Sequence, residues 1–360
     1  MKPALLFYCQ HSVGLGHLMR SYALTEALAE RFRVVLLAGG DLPDGIEPPR
    51  GVEVVALPPL GVNGGRFGSG DPRYSTDHAW EVRNARITCA LDELRPAVVL
   101  IELFPFGRAK FARELIPLLK RAKALGATTA TSLRDLLVST RENQQEHDDR
   151  AARIANAYLD MILVHCDPAF ARLEETFDPS VELTVPVHYT GFVSRENGAP
   201  RARGEHIVVS AGGGRVGRPL LEEAINASDG RPMRAIAGPL MPQEDYAALE
   251  AIAPPNVELL RSVPDLAHEL SQARASISQC GYNTALDLLR TRAPALVIPY
   301  STPEEDEQAE RARRLEKLGA LMVADHINGQ LGELLEFTPA STALDLDGAA
   351  TTRDLLWEIA

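Results

Sequence analysis

Short apolar segments alternate with amphipathic ones along nearly the whole of this 360-residue chain. The apolar segments, such as residues 4–8 and 207–210, have no polar alternation, which predicts strands that are buried on both faces. The segments between them, such as residues 18–30, have the 3.6-residue period of helices. Together they predict an α/β fold in which helices cover both faces of a parallel sheet.

One break interrupts this alternation. Residues 195–204 mix Pro and Gly with charge and have no period, and a new strand follows them. A chain of this length also exceeds a comfortable single domain. We therefore expect two doubly wound domains, 1–195 and 205–340, that face each other across a cleft. Residues 341–360 should form a tail helix that packs back toward the N-terminal domain, and the Gly-rich segment 60–78 should be a long loop.

The charge is unevenly distributed. The formal net charge of −12 argues against a nucleic-acid partner. Residues 1–195 contain 22 Lys and Arg against 24 Asp and Glu, whereas residues 196–360 contain 15 against 25. An acidic second half would have to hold phosphate with backbone N–H groups and one or two arginines rather than with a broad basic surface.

The four cysteines lack the spacing of a disulfide framework or a zinc site, so we expect reduced thiols in a cytoplasmic protein. No signal peptide is recognisable at the N-terminus. No apolar run approaches the roughly 18 residues of a membrane helix, so we expect no integral membrane segment. The acidic clusters at 147–149 and 345–347 do not follow strands near the expected cleft. We therefore expect no metal centre and no cofactor.

The stretch from Ser278 to Asp287 has the pattern of a phosphate-binding turn. A predicted strand runs into this turn, and the turn opens a helix, whose first N–H groups and positive dipole end favour anions. Asp287 would then accept hydrogen bonds from ribose hydroxyls. A second strand, 295–299, delivers Glu307 and Gln308 to a similar rim, which completes the layout of a nucleotide-sugar site. The expected diphosphate contacts come from Gly281, Tyr282, Asn283 and Thr284.

Two further turns in the second half are candidates for donor contacts. Three glycines, 212–214, follow the strand 207–210, and Arg218 comes soon after them. Such a turn suits phosphate, with Gly213 and Gly214 at the ligand and Arg218 on a phosphate oxygen. The alternative is a tight turn with a solvent-exposed arginine. Val263, which precedes Pro264, would read the edge of a base, or else lies in an ordinary strand–helix turn.

The candidate acceptor side lies in the first half. Gly14, Gly16 and His17 follow the first strand directly and open a helix. The helix dipole lowers the pKa of a histidine there and favours the neutral imidazole of a general base. His11 is a weaker candidate for the same side. Glu102, after the strand 97–101, could bind an acceptor hydroxyl.

These motifs resemble the GT-B fold glycosyltransferases, specifically the MurG-like group of family 28, over nearly the whole chain. The glycine loop ending in His17, the glycines 212–214, the pair Gly281 and Asp287, and Pro299 with Gln308 have counterparts in that family. Asp stands at 287 where the family has Glu, and Glu307-Gln308 stands where it has Gln-Gln, so the sugar need not be N-acetylglucosamine. The segment from Gly14 to Ser21 is also similar to the opening of PseG-type sugar-nucleotide hydrolases of the same fold, whose corresponding histidine is catalytic.

The resemblance implies two Rossmann-like domains and transfer of a sugar from a nucleotide diphosphate sugar, with a UDP-sugar favoured, without a metal. The partners would be this donor and a small-molecule or lipid-linked acceptor. His17 and Glu102 would be the catalytic pair. Two alternatives remain open at this point: a sugar-nucleotide hydrolase, and a non-catalytic protein that binds nucleotide sugars.

Overall fold

The computed structural model describes residues 2–11, 15–40, 46–63, 66–194, 202–214, 216–302 and 306–360. Strands and helices alternate through most of the chain, with two short 3₁₀ turns at Ala109–Phe111 and Leu173–Glu175. The elements of the first half are β1 (Ala4–Cys9), α1 (Gly16–Ala29), β2 (Arg33–Ala38), β3 (Val52–Ala56), β4 (Leu60–Asn63), β5 (Arg66–Ser69), α2 (Thr76–Leu94), β6 (Val98–Glu102), α3 (Ala112–Ala124), β7 (Thr128–Leu133), α4 (Gln144–Tyr158), β8 (Met161–Val164) and β9 (Val187–Tyr189).

The same alternation continues after residue 202. The elements of this half are β10 (Ile207–Ser210), α5 (Arg218–Asn226), β11 (Met233–Ile236), α6 (Gln243–Ile252), β12 (Val257–Leu260), α7 (Leu266–Gln272), β13 (Ala275–Ser278), α8 (Tyr282–Thr291), β14 (Ala295–Val297), α9 (Glu307–Lys317), β15 (Met322–Val323), α10 (Leu331–Glu336) and α11 (Gly348–Glu358).

Two parallel sheets organise the chain. The first has seven strands in the order β3-β2-β1-β6-β7-β8-β9, and the second has six in the order β12-β11-β10-β13-β14-β15. In each sheet the strand order reverses direction beside the first strand, which is the doubly wound arrangement. The predicted fold class of two doubly wound α/β domains is confirmed.

The chain divides into two compact units. Of the described residues, 2–11, 17–40, 46–63, 66–194 and 344–360 belong to the first, and 15–16, 202–214, 216–302 and 306–343 belong to the second. The C-terminal segment pairs with the first unit through the Phe192 N–H, which donates to the Asp345 carbonyl at 2.8 Å. Farther along, the Trp357 ring meets the Phe32 ring edge-on at 5.9 Å. The last helix is therefore part of the first unit.

Apolar burial explains where the strands form. All five residues of β6 are buried, and so are the last five of β1. In the second unit the core groups strand residues such as Val209 and Ile277 with helix residues such as Leu221 and Leu249. Central parallel strands need apolar residues on both faces because helices cover both.

The prediction of a long loop over 60–78 is wrong. β4 and β5 form an antiparallel hairpin there, and α2 already begins at Thr76. Phe67 of β5 stacks on Trp80 at 6.0 Å and meets Phe111 edge-on at 5.9 Å. These partners are distant in sequence, so the local Gly-rich composition gave no sign of the hairpin.

Candidate active site

His17 and Glu102 come together at the carboxyl edge of the first sheet. His17 lies in the first turn of α1, which follows β1, and Glu102 ends the neighbouring strand β6. The His17 Nδ1 atom lies 2.5 Å from Glu102 Oε1. The carboxylate is fully buried, whereas the imidazole keeps 20% of its surface exposed. A neutral imidazole in this pair donates its Nδ1 hydrogen to Glu102, and Nε2 is left as the proton acceptor.

Two arginines approach the same carboxylate. Nη2 of Arg20 lies 2.5 Å from Glu102 Oε1, and Nε of Arg108 lies 3.7 Å from Oε2. Neither arginine is among the predicted site residues. The signal for Arg20 is its spacing, because residues three apart share one face of a helix, and His17 stands three before it.

The electrostatics of this group fix its charge state near neutral pH. Burial, followed by the charges of Arg108 and Arg134, lowers the pKa of His17 to about 3, although Glu102 opposes the shift. Burial would raise the pKa of Glu102, but the charges of His17, Arg20 and Arg108 and the hydrogen bond from His17 outweigh it and hold that pKa below its ordinary value. Glu102 is therefore a carboxylate while His17 is neutral, which is the state of a base with its orienting group.

A second group of hydrogen-bonded polar side chains lies at the ends of the next strands, and its members are not among the predicted site residues. Ser132 of β7 bonds through Oγ to His165 Nε2 at 2.7 Å, and His165 Nδ1 lies 2.8 Å from Thr190 Oγ1. All three side chains are buried. Burial is the main cause that holds the pKa of His165 well below 6.5. This neutral histidine joins three adjacent strand ends.

The predicted acceptor-side residues lie in different surroundings. Gly16 begins α1 and is exposed, while Gly14 lies outside the described residues. His11 is 4% exposed and packs against Gly40, where an added Cβ would lie 2.8 Å from the imidazole. An acceptor contact by His11 stays a prediction, and its packing already accounts for its burial.

In the second unit, Gly281 opens α8. It is the N-cap, has extended backbone, and forms no side-chain cap bond. The Ala285 N–H donates to the Gly281 carbonyl at 2.9 Å, so the helix's own bonds leave the N–H groups of Asn283 and Thr284 without intrahelical partners. No described atom lies within 4 Å of a Cβ added at Gly281. Since Tyr282 and Thr284 have buried side chains, their contribution to a ligand would come from the backbone.

The backbone of this turn is hydrogen-bonded by an arginine that is not among the predicted site residues. Arg311 of α9 is 3% exposed, and its Nη1 donates to the Cys280 carbonyl at 2.9 Å. Its guanidinium also lies 5.8 Å from the centre of the Tyr282 ring. The segment 307–317 is rich in charged residues, a composition that is typical of a solvated helix. Arg311 instead fixes the backbone immediately before α8.

The remaining predicted residues of this edge are placed as follows. Asp287 is half-buried, in the second turn of α8. Glu307 is the buried first residue of α9. Gln308 accepts a hydrogen bond from the Tyr300 N–H at 3.3 Å through Oε1. Its contact with a donor sugar stays a prediction.

The glycine run after β10 has a packing role of its own. Gly214 has φ +93°, and a Cβ there would lie 2.5 Å from the Ala237 carbonyl oxygen. Gly238, in the turn after β11, also has φ +93°, and its Cβ would lie 2.5 Å from the Gly212 oxygen. The Leu240 N–H closes the pair of turns on the Gly213 carbonyl at 3.0 Å. Only glycine fits two turns so close together, so phosphate binding by Gly213 and Gly214 stays a prediction.

Arg218 and Val263 lie in turns that follow β10 and β12. Arg218, the first residue of α5, donates to Asp245 Oδ1 at 2.7 Å and is 44% exposed. It would have to leave or share this partner to bind phosphate. Val263 is half-buried, and no hydrogen bond joins its backbone to another described residue. That backbone can therefore pair with the edge of a base.

The described residues contain neither a cluster of metal ligands nor a membrane-spanning helix. No group of three or more His, Cys, Asp or Glu side chains in the part of the chain that the structure describes could hold a metal ion. Within the same residues, no helix has both the length and the apolar character to cross a membrane.

Comparison with known proteins supports the fold and part of the resemblance. Residues 238–337 match the family model of the glycosyltransferase family 28 C-terminal domain. This segment contains Gly281, Asp287, Glu307 and Gln308, so the resemblance is confirmed for that part of the chain. A search of curated protein sequences finds no significant match.

Several solved structures are similar over almost their full length. MurG from Acinetobacter baumannii has a TM-score of 0.59 at 15% identity, with 99% of this chain and 100% of that chain covered. The glycosyltransferase SnogD from Streptomyces nogalater has a TM-score of 0.58 at 18% identity, with both chains covered completely. UGT2 from Phytolacca americana, complexed with UDP-2fluoro-glucose and pterostilbene, has a TM-score of 0.56 at 15% identity, with 99% and 94% covered. The chain therefore has the GT-B fold.

Proposed function

We propose that this protein is a glycosyltransferase that moves a sugar from a nucleotide diphosphate sugar to an acceptor hydroxyl. The observation that carries the proposal is the pair of His17 and Glu102, 2.5 Å apart, at the carboxyl edge of the first sheet of a GT-B fold. A family 28 model over residues 238–337 supports a nucleotide-sugar donor, and the UDP-sugar bound to the similar UGT2 favours uridine.

The base would act as follows. His17 Nε2 takes the proton of the acceptor hydroxyl while the oxygen bonds to the anomeric carbon. The bond from that carbon to the diphosphate breaks, and its electron pair leaves with the nucleoside diphosphate. Glu102 holds the Nδ1 hydrogen of His17 and balances the imidazolium that forms. Arg20, which is buried against Glu102, keeps this carboxylate in place.

The second unit would bind the donor. Backbone N–H groups at the start of α8 would hold the diphosphate, beside Gly281, where an added Cβ would meet no described atom within 4 Å. Arg218 would be a second phosphate ligand. Asp287 would accept from the ribose, Val263 would pair with the base, and Glu307 and Gln308 would contact the sugar. Because these phosphate ligands are N–H groups and arginine, we propose a metal-independent reaction.

A donor screen followed by product analysis tests this proposal. Thermal shift would be measured with nucleoside diphosphates and their sugars, where a ligand at about 100 times its Kd stabilises the protein by about 2.7 kcal/mol. The best donor would then be incubated with and without a panel of hydroxyl acceptors, in EDTA and in Mg²⁺. Glycoside formation in EDTA supports the proposal. Stoichiometric free sugar from the donor alone would indicate a hydrolase, and binding without turnover would indicate a binding protein.

A further inference from the structure

Arg108 carries a positive charge that the first unit's candidate site does not neutralise. Arg20 already pairs with Glu102, with 2.5 Å between Nη2 and Oε1. Arg108 lies on the other side of the carboxylate, and its Nε is 3.7 Å from Oε2, which is too long for a hydrogen bond. With His17 neutral, this group of one carboxylate and two guanidiniums has a net positive charge, and Arg108 is the guanidinium that lies beyond hydrogen-bond distance of Glu102.

The hydrogen-bond donors of Arg108 are also unused. Its Nε is buried, and its side chain donates no hydrogen bond to any residue that the structure describes. The side chain as a whole is 18% exposed, so a ligand can reach it. A buried charged donor without an acceptor is costly, and this cost is relieved when an anion arrives.

The backbone around Arg108 supports a functional position. Arg108 has φ 58° and Leu103 has φ 65°, both in the left-handed region that residues other than glycine seldom adopt. Gly107, which precedes Arg108, packs against Leu103, since a Cβ there would lie 2.7 Å from a Leu103 methyl group. Such conformations persist only where the surroundings fix them, and they cluster at functional sites.

From these observations we infer that Arg108 binds an oxyanion of the acceptor, a carboxylate or a phosphate, and thereby selects anionic acceptors. This inference rests on the proposed glycosyl transfer. The planar guanidinium can hold either oxyanion through two parallel hydrogen bonds. A neutral acceptor would leave the buried Nε unpaired, so the same group that attracts an anion also discriminates against its neutral analogue.

Binding of an anion at Arg108 would also affect the base. The charge of Arg108 is one of the causes that lower the pKa of His17. An oxyanion paired with Arg108 offsets that charge, so the pKa of His17 rises toward the range where a general base is most effective. A merely structural arginine would not produce this change when an anion is added.

The oxyanion could come from the acceptor or from the donor's diphosphate. We favour the acceptor because the second unit has its own candidate phosphate ligands, at the start of α8 and at Arg218. Measuring UDP affinity in the Arg108 variants therefore distinguishes an oxyanion of the acceptor from one of the donor.

The experiment uses the full-length chain with ¹³C-labelled histidine. Inorganic phosphate and, separately, acetate are titrated at constant ionic strength while NMR follows the His17 imidazole, which is assigned with His17→Gln. The variants are Arg108→Gln, Arg108→Lys and the control Arg153→Gln, an arginine that is 63% exposed on α4. Calorimetry with UDP is run on each variant, and near-UV circular dichroism checks folding.

We expect a saturable shift of the His17 signal and a higher His17 pKa with phosphate or acetate, in wild type and Arg153→Gln. The apparent affinity should fall at least tenfold in Arg108→Gln and recover in part in Arg108→Lys, with UDP affinity unchanged within twofold. Equal responses in wild type and a folded Arg108→Gln, or no response in wild type, would overturn the inference. A tenfold loss of UDP affinity in Arg108→Gln would assign the oxyanion to the donor and also overturn it. Absence of donor binding or turnover in wild type would instead contradict the proposed function.

Discussion

His17 can accept a proton only while its Nε2 is unprotonated, and its burial ensures this near neutral pH. We expect His17→Gln to lower kcat by about 10²–10⁴, the usual contribution of a general base. Donor affinity should stay within about twofold, because the proposed donor contacts lie in the second unit. Turnover and UDP calorimetry on the variant measure both quantities.

His78→Gln is the matched control, since this histidine is 56% exposed on α2 and the ring partners it has among the described residues, Glu81 and Tyr74, are near it in sequence. Its turnover should equal that of the wild type. Wild-type turnover in His17→Gln would assign the base to another group.

The proposed catalytic role of Glu102 is coupled to stability, because the same carboxylate pairs with the buried Arg20. Its loss in Glu102→Gln removes a charged partner of the buried Arg20 and the acceptor that fixes the His17 tautomer. We expect kcat to fall by about 10²–10⁴ and the free energy of unfolding by about 3–5 kcal/mol. Product assays and urea unfolding check the two effects, with Glu81→Gln, 77% exposed, as the control. A variant that keeps wild-type stability would show that Arg20 does not depend on Glu102.

The sequence predicted residues whose position follows from a strand end, and it missed those that depend on neighbours. His17 and Glu102 each come directly after or at the end of a strand, and carboxyl ends of parallel strands meet at one edge. Arg20 and Arg311 lie inside helices, where composition alone favours a solvated side chain. Their burial follows from Glu102 and the Cys280 carbonyl, partners that are far away in sequence.

At the scale of single elements, two glycine turns of the second unit differ in what surrounds them. Gly214→Ala would put a Cβ 2.5 Å from a backbone oxygen at φ +93°, so we expect a loss of about 1–3 kcal/mol of stability. Gly281 has ordinary φ and open surroundings, so Gly281→Ala should cost about 1 kcal/mol or less. Its Cβ would instead occupy the space proposed for the diphosphate.

Urea unfolding and UDP calorimetry on the two variants separate these effects. Relative to its loss of stability, Gly281→Ala should lose more UDP affinity than Gly214→Ala does. A Gly281→Ala variant that binds UDP as the wild type does would remove the start of α8 from the donor site.

Elements with a strong apolar pattern were predicted well, and short or composite ones were not. The bounds of β10 match the predicted strand 207–210, because a buried run between turn residues is distinctive. β9 and α10 are only three and six residues long and were missed. The β4–β5 hairpin depends on Phe67 contacts with Trp80 and Phe111, which are tertiary and leave no local pattern.

At the scale of the whole molecule, the first unit contains the buried histidines and also both tryptophans. The chain's two tryptophans are Trp80 and Trp357, and both belong to this unit, as do His17 and His165. Tryptophan fluorescence therefore follows the unfolding of the first unit, in which His17 and His165 take up protons when the chain unfolds in acid. The stability of the first unit can therefore be measured against pH even if the two units unfold in separate transitions.

The stability of the first unit should fall as the pH is lowered below about 6.5. The pKa of His165 is held well below 6.5, mainly by burial, and that of His17 is lowered to about 3. Below pH 6.5 the unfolded chain binds a proton at both of these histidines, His165 and His17, whereas the folded chain leaves both neutral. Acid therefore favours unfolding. For each histidine that stays neutral in the folded chain, the free energy of unfolding should fall by about 1.4 kcal/mol for each pH unit below 6.5. Glu102, whose pKa is lowered in the folded state, adds to the loss below pH 4.5.

Urea unfolding followed by tryptophan fluorescence at pH 7.5, 6.5, 5.5 and 5.0 tests this expectation with His165→Gln beside the wild type. Glutamine can still bond to Ser132 and Thr190 but takes up no proton, so the variant should be less stable at pH 7.5 and less sensitive to acid. Between pH 6.5 and 5.0 its loss of stability should be smaller than that of the wild type by about 2 kcal/mol. His78→Gln should keep the wild-type slope, because its imidazole is mostly exposed in the folded state. Equal slopes in wild type and His165→Gln would mean that the His165 ring is protonated as easily in the folded chain as in the unfolded one.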